Sequence, residues 1–198
     1  MGSEESPRGD RVAARMAQVS SLGRGVSYAL AMGIAGWLVV SAGVMYPLLA
    51  SSANISATGA SSGAVFLSRA GAMVLASFLG PSMFSGVEDD LKLAAVLLLA
   101  SALFLASTFV TELLALHLWF AAAGFAYAAT DVGTQILTRR RFGEGADPWL
   151  AFNLVVFSVF CVVASTLYFL PGLWMQGLVS AVLSAGVAVC LVAVNPNP

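Results

Sequence analysis

Long apolar runs alternate with short polar breaks over almost the whole chain. The first 24 residues, MGSEESPRGDRVAARMAQVSSLGR, are polar. Apolar runs then cover about 26–50, 61–84, 91–110, 112–137, 148–170 and 173–194. Each is ~20 residues or slightly longer, the length a helix needs to cross a ~30 Å hydrocarbon layer. The breaks are a Ser/Ala/Gly/Asn loop (SSANISATGASS), a short acidic loop (SGVEDD), an arginine-rich loop (RRRFGEGADP) and a Pro171-Gly172 turn. Any single run could be a buried helix of a soluble protein, but together they leave almost no polar residue to face water. The pattern predicts an all-α, integral membrane bundle of six transmembrane helices. One domain would span 25–194, between a disordered cytoplasmic tail (1–24) and a short cytoplasmic tail (195–198).

Composition sharpens this picture. Of 198 residues, 59% are hydrophobic and 10% charged, against ~25% charged in a soluble domain. The net charge of -1 excludes the basic footprint of a nucleic-acid partner. The placement of the basic residues says more than their number. Arg8, Arg11, Arg15 and Arg24 precede the first run, Lys92 follows the second, and Arg139, Arg140 and Arg141 follow the fourth. With an even number of crossings these share one side, while the opposite loops carry no Lys or Arg. The positive-inside rule then puts both termini in the cytoplasm. No nucleophile elbow, HExxH, CxxC or phosphate-binding glycine loop occurs. The lone His117 and the two cysteines, Cys161 and Cys190, both in apolar runs, offer neither a metal set nor a disulfide framework. No enzyme, metal or cofactor is expected. The opening MGSEES fits the myristoylation pattern at Gly2 and Ser6, a short pattern that chance often meets.

Polar groups inside the spans carry the candidate chemistry. In the fourth run His117, Ala121, Gly124, Ala128, Asp131 and Gln135 recur at steps of three and four and so share one helical face. Such a face points into the bundle or a wet cavity. An acid within a span is a functional-site candidate; Asp131 could equally pair with the basic loop or a neighbouring helix. Arg69 sits deep in the second run, with Ala72, Ala76 and Gly80 on its stripe. There it would bind an anion, a carbonyl cluster or a helix C-terminus, and His117 or Glu112 is nearer to it in depth than Asp131. Gly33, Gly36 and Gly43 suit close helix packing, as do Gly71, Gly80 and Gly124, and Pro47 suits a kink. Asn153 and Gln176 are further polar linings or interhelical hydrogen bonds. Trp149 and Trp174 lie at run ends, as interfacial anchors do.

The stretches FLSRAGAMVLASFLG (66–80) and GFAYAATDVGTQIL (124–137) resemble the second and fourth helices of the major facilitator superfamily, nearest its sodium-dependent glucose transporter-like branch. On this likeness Arg69, Gly71 and Gly80 match one pattern, and Gly124 and Asp131 the other. The chain matches one six-helix half, where members have two, and its inner loop reads GVEDDLKL in place of a Gly-Arg-Lys cluster. The resemblance implies a half-size secondary transporter of a small solute, such as a sugar, that dimerises to build the central cavity. Arg69, His117, Asp131, Gln135 and Asn153 would then line or gate the path, with Asp131 able to bind a coupling cation. The alternative is a non-transporting structural or accessory subunit of a larger membrane complex.

Overall fold

The computed structural model describes residues 7–56, 59–86 and 88–194. Among these the chain forms α1 (Pro7–Ser52), α2 (Ala60–Met83), α3 (Asp89–Ala106), α4 (Leu113–Phe142), α5 (Ala146–Ala164) and α6 (Gly172–Val194), and no strand. Five stretches are long and apolar enough to cross a membrane: Ser21–Ser52, Ser61–Met83, Asp89–Phe109, Leu113–Phe169 and Gly172–Val194, the fourth running through α4 and α5. The protein is therefore an all-α, multi-pass membrane protein.

Helix ends explain where the structure departs from the sequence-based boundaries. α1 begins at Pro7, so residues 7–24 are helical in place of the disordered tail expected over 1–24. Proline at a first helical position has its φ pre-set, and the following Arg, Ala and Met residues are strong helix formers. Gly2 and the tail 195–198 lie outside the described residues. α4 runs past residue 137 to Phe142, so the three arginines occupy its last turn, where cations complement the helix dipole. Gly143, at φ +53, ends it; this left-handed conformation suits glycine. Asp89 and Asp90 likewise form the first turn of α3, where anions are favoured.

Contacts between named residues fix the direction of each helix. α2 and α4 run side by side in the same sense, since Ser68 meets His117 and Gly80 meets Val132. α1 and α5 do the same, with Gly25 against Trp149 and Gly33 against Phe160. α1 opposes α6, because Gly23 meets Val194 while Trp37 donates to Ser180 Oγ. α3 opposes α6 through Ser101 and Ala181 and Phe104 and Gly177. α3 also opposes α4, where Trp119 donates to the Leu103 carbonyl. Between α4 and α5 the chain folds back: the Asn153 amide donates to Thr138 Oγ1 at 3.1 Å, and Trp149 stacks on Phe142. Successive helices therefore alternate in direction.

The pairing has an internal symmetry. α2 packs on α4 and α5 on α1; α3 packs on α6; α1 meets α4; α6 backs α1 as α3 backs α4. Exchanging α1 with α4, α2 with α5 and α3 with α6 leaves these main pairings unchanged. Because exchanged helices run in opposite senses, the halves form an inverted repeat. The detail agrees: Gly36 lies against the backbone of Phe157, and Gly124 against that of Arg69. The two glycines, and the two residues they meet, are separated by the same interval along the chain. α1 and α4 are the central pair, and α3 and α6 cover one side of it. At the end away from the arginines, Tyr46, Phe66, Phe120, Trp119 and Phe104 form a chain of tilted and edge-on ring contacts.

Candidate functional site

Two polar constellations stand out. The first closes the arginine-bearing end. Asp89 and Asp90 are only 1% and 7% exposed, a burial that ionised carboxylates tolerate only when paired. Asp89 accepts from the Gly86 backbone N–H at 3.1 Å, from Lys92 Nζ at 2.9 Å and from Arg140. Asp90 accepts from the Tyr28 hydroxyl at 2.6 Å and from Arg141 Nη2 at 3.1 Å. Arg140 also donates to the Phe84 carbonyl, and Lys92 to the Met83 carbonyl, so two carbonyls left free at the C-terminal end of α2 are satisfied as well. Acids adjacent in sequence are thus matched one to one with adjacent arginines on α4, and Tyr28 ties α1 in.

Local sequence reading missed this clamp, because Lys92 is the only base near the acids in the chain. The signal that could have found it is the coincidence of an acidic pair and an arginine run at the same membrane face. Tyr28 offers a second signal, a hydroxyl inside an apolar run that needs a partner. Tyr28→Phe removes one charge-assisted hydrogen bond and keeps the ring. It is expected to cost about 1.5–3 kcal/mol, read as a lowered midpoint in denaturant titration of the purified protein in mixed micelles.

The second constellation lies inside the spans, on the side of the α1–α4 pair that α3 and α6 leave uncovered. Arg69 crosses from α2 to α1 and donates Nη2 to the carbonyls of Val39 at 3.0 Å and Leu38 at 3.3 Å. Its partners are therefore carbonyls, not His117 or Glu112. The buried Arg69 Nε has no partner. His117 Nδ1 meets Ser68 Oγ at 2.7 Å. Asp131 is half-buried and accepts from Gln135 Nε2 at 2.8 Å. It does not pair with the arginines of the basic end, of which Arg140 and Arg141 engage Asp89 and Asp90. Tyr127 lies one turn from Asp131 on α4, and Cys161 contacts the Gly36 carbonyl. Tyr127 and Asp131 share the face of α4 whose Gly124 lies under Arg69, and this face is bounded by α2 on one side and α5 on the other. Tyr127 was not among the residues singled out from sequence.

The shared face of α4 is used in two ways. Its first half packs on α2: Gly124 lies under the Arg69 backbone, and His117 is bonded to Ser68. Its second half opens at Asp131 and at the exposed Gln135. Asn153 and Gln176 are buried and belong elsewhere. Asn153 ties α5 to α4, and Gln176 donates to the Leu170 carbonyl; one oxygen of each stays unpaired. Among the glycines, Gly33, Gly36, Gly80 and Gly124 are pressed against Phe160, Phe157, Val132 and Arg69, whereas Gly43 and Gly71 face open space. No family model, curated protein or solved structure matches this chain.

Proposed function

We propose that the protein is a half-size secondary transporter of a small solute, in which six crossings of one chain build half of a central cavity and a second copy builds the rest. The inverted repeat carries this reading. Secondary transporters of several folds are assembled from inverted repeats, with the substrate near the bilayer midplane between them. Here the head of Arg69, reaching over from α2, lies with Tyr127 and Asp131 of α4 on the uncovered side of the central pair. Charged groups within a membrane face a bundle interior or a wet path, and a second copy over this face would create one. The alternating helix directions favour six crossings, and the basic residues at one end favour cytoplasmic termini.

The test is the native mass, with the identity of every component, of the protein extracted in mild detergent. Two copies of the 20.4 kDa chain are expected. Stable co-purification with unrelated subunits would overturn the reading in favour of an accessory role.

A further inference from the structure

The uncovered face contains two charges of opposite sign, and neither has an ionic partner. Among the described residues the ion pairs are those of Asp89 and Asp90 at the basic end. Arg69 rests on two neutral carbonyls and keeps Nε unpaired. Asp131 receives one hydrogen bond, from a neutral amide. An Arg or Asp at the centre of a membrane helix costs about 2.5–3.5 kcal/mol on insertion scales, so each charge gains from a counter-ion.

Register brings the two close in depth. α1 and α4 are antiparallel, with Tyr28 at the level of Arg141, through Asp90, and Tyr46 against Phe120. This places Leu38 and Val39, where the Arg69 head sits, opposite residues near 128–129 of α4. Asp131 is then two or three residues further along, about 3–5 Å at the helical rise per residue. The long arginine side chain closes most of the separation that its backbone position suggests.

We propose that this face binds a small zwitterion of amino-acid type, with Arg69 taking the anionic group and Asp131 the cationic one. Such a solute neutralises both charges in one step, which a neutral sugar does not. Arginine holds a carboxylate by its planar donor fork. Asp131 keeps acceptor sites for an ammonium group, since a carboxylate has about four and Gln135 fills one. The proposal rests on the transporter reading.

It is tested by thermal unfolding of the full chain in nanodiscs with two matched pairs of probes, L-alanine with L-lactate and L-phenylalanine with L-phenyllactate, plus D-glucose. Within each pair only the ammonium group is exchanged for a hydroxyl. At least one amino acid is expected to raise the unfolding temperature, its hydroxy acid and glucose much less. Asp131→Asn and Arg69→Gln are each expected to weaken that binding at least roughly tenfold, ~1.4 kcal/mol. Asp131→Asn is isosteric and needs no refolding of its surroundings. Equal stabilisation by amino acid and hydroxy acid would overturn the proposal, the anion then travelling with a separate cation. Stabilisation by glucose alone, or by no probe, would also overturn it. Loss of the dimer in both single variants, restored by exchanging the two residues, would show that the charges serve each other between copies. A two-copy native mass with any of these failures leaves the transporter reading standing and removes only the zwitterion.

Discussion

Replacing Gly124 or Gly36 by alanine is expected to destabilise the protein by about 1–3 kcal/mol, the range for overpacking a tight contact. Gly43→Ala and Gly71→Ala are expected to be neutral or to stabilise it by up to about 1 kcal/mol. All four are glycines within helices, so backbone entropy alone would treat them alike. What differs is the neighbour. A methyl on Gly36 would land on the carbonyl oxygen of Phe157, and one on Gly124 on the carbonyl oxygen of Arg69. Backbone cannot rotate aside as a flexible side chain can, so the whole of α5 or α2 must shift. Small residues that let backbones approach closely are the usual basis of helix association in lipid, where apolar surface gives no net drive. Gly80→Ala meets the Val132 side chain and should fall between the extremes. The measurement is a denaturant titration of all five variants in mixed micelles. Equal midpoints across the set would show that α1–α5 and α2–α4 are not in this close contact. Gly43 also lies on the uncovered side of α1, so its alanine variant should be read for native mass as well. A changed dimer with an unchanged midpoint would place the second copy against this face.

The apolar runs were legible because the bilayer imposes one length and one composition on every crossing. The runs at 61–84, 148–170 and 173–194 coincide closely with α2, α5 and its following turn, and α6. The ends were less legible. Charged residues stop an apolar run without stopping a helix, so α4 carries its arginines in its last turn and α3 starts on its acids. The site was legible in kind only. Arg69 and Asp131 stand out because any charge in a run stands out, and a carbonyl cluster was one of the partners the sequence allowed for Arg69. Which carbonyls it meets depends on where α1 crosses α2, and no local pattern encodes that. The same holds for the glycines: spacing selected Gly43 and Gly71 with the rest, yet they face open space because no helix happens to cross there. The clamp was the hardest to see, because Asp89 and Arg140 are distant in sequence and meet only once α3 and α4 lie antiparallel.

The clamp yields the second large effect. Asp89→Asn keeps the shape of the side chain and removes its charge, and the expected loss is about 2 kcal/mol. Breaking a fully buried ion pair costs more, about 3–5 kcal/mol. Here the partners moderate it, since the Lys92 and Arg140 side chains are 43% and 47% exposed and can turn to water. The residual cost arises at position 89 itself. One amide oxygen can still accept from Gly86 N–H and Lys92, but the amide nitrogen would then face the Arg140 guanidinium, donor against donor. The loss should be local before it is global. Arg140 and Lys92 hold the carbonyls of Phe84, Gly86 and Met83, so their release frees the α2–α3 connection while the apolar packing of α3 on α6 persists. Hydrogen exchange in Asp89→Asn should therefore accelerate over Phe84–Gly86 and the first turn of α3, with little change along the rest of α3, as expected for a unit that opens separately. The double variant Asp89→Asn, Arg140→Gln should lose clearly less than the sum of its parts, since each single change already empties the same contact. Strict additivity, or uniform acceleration along α3, would mean that Asp89 acts by setting the helix start and not by fastening α4 to the loop.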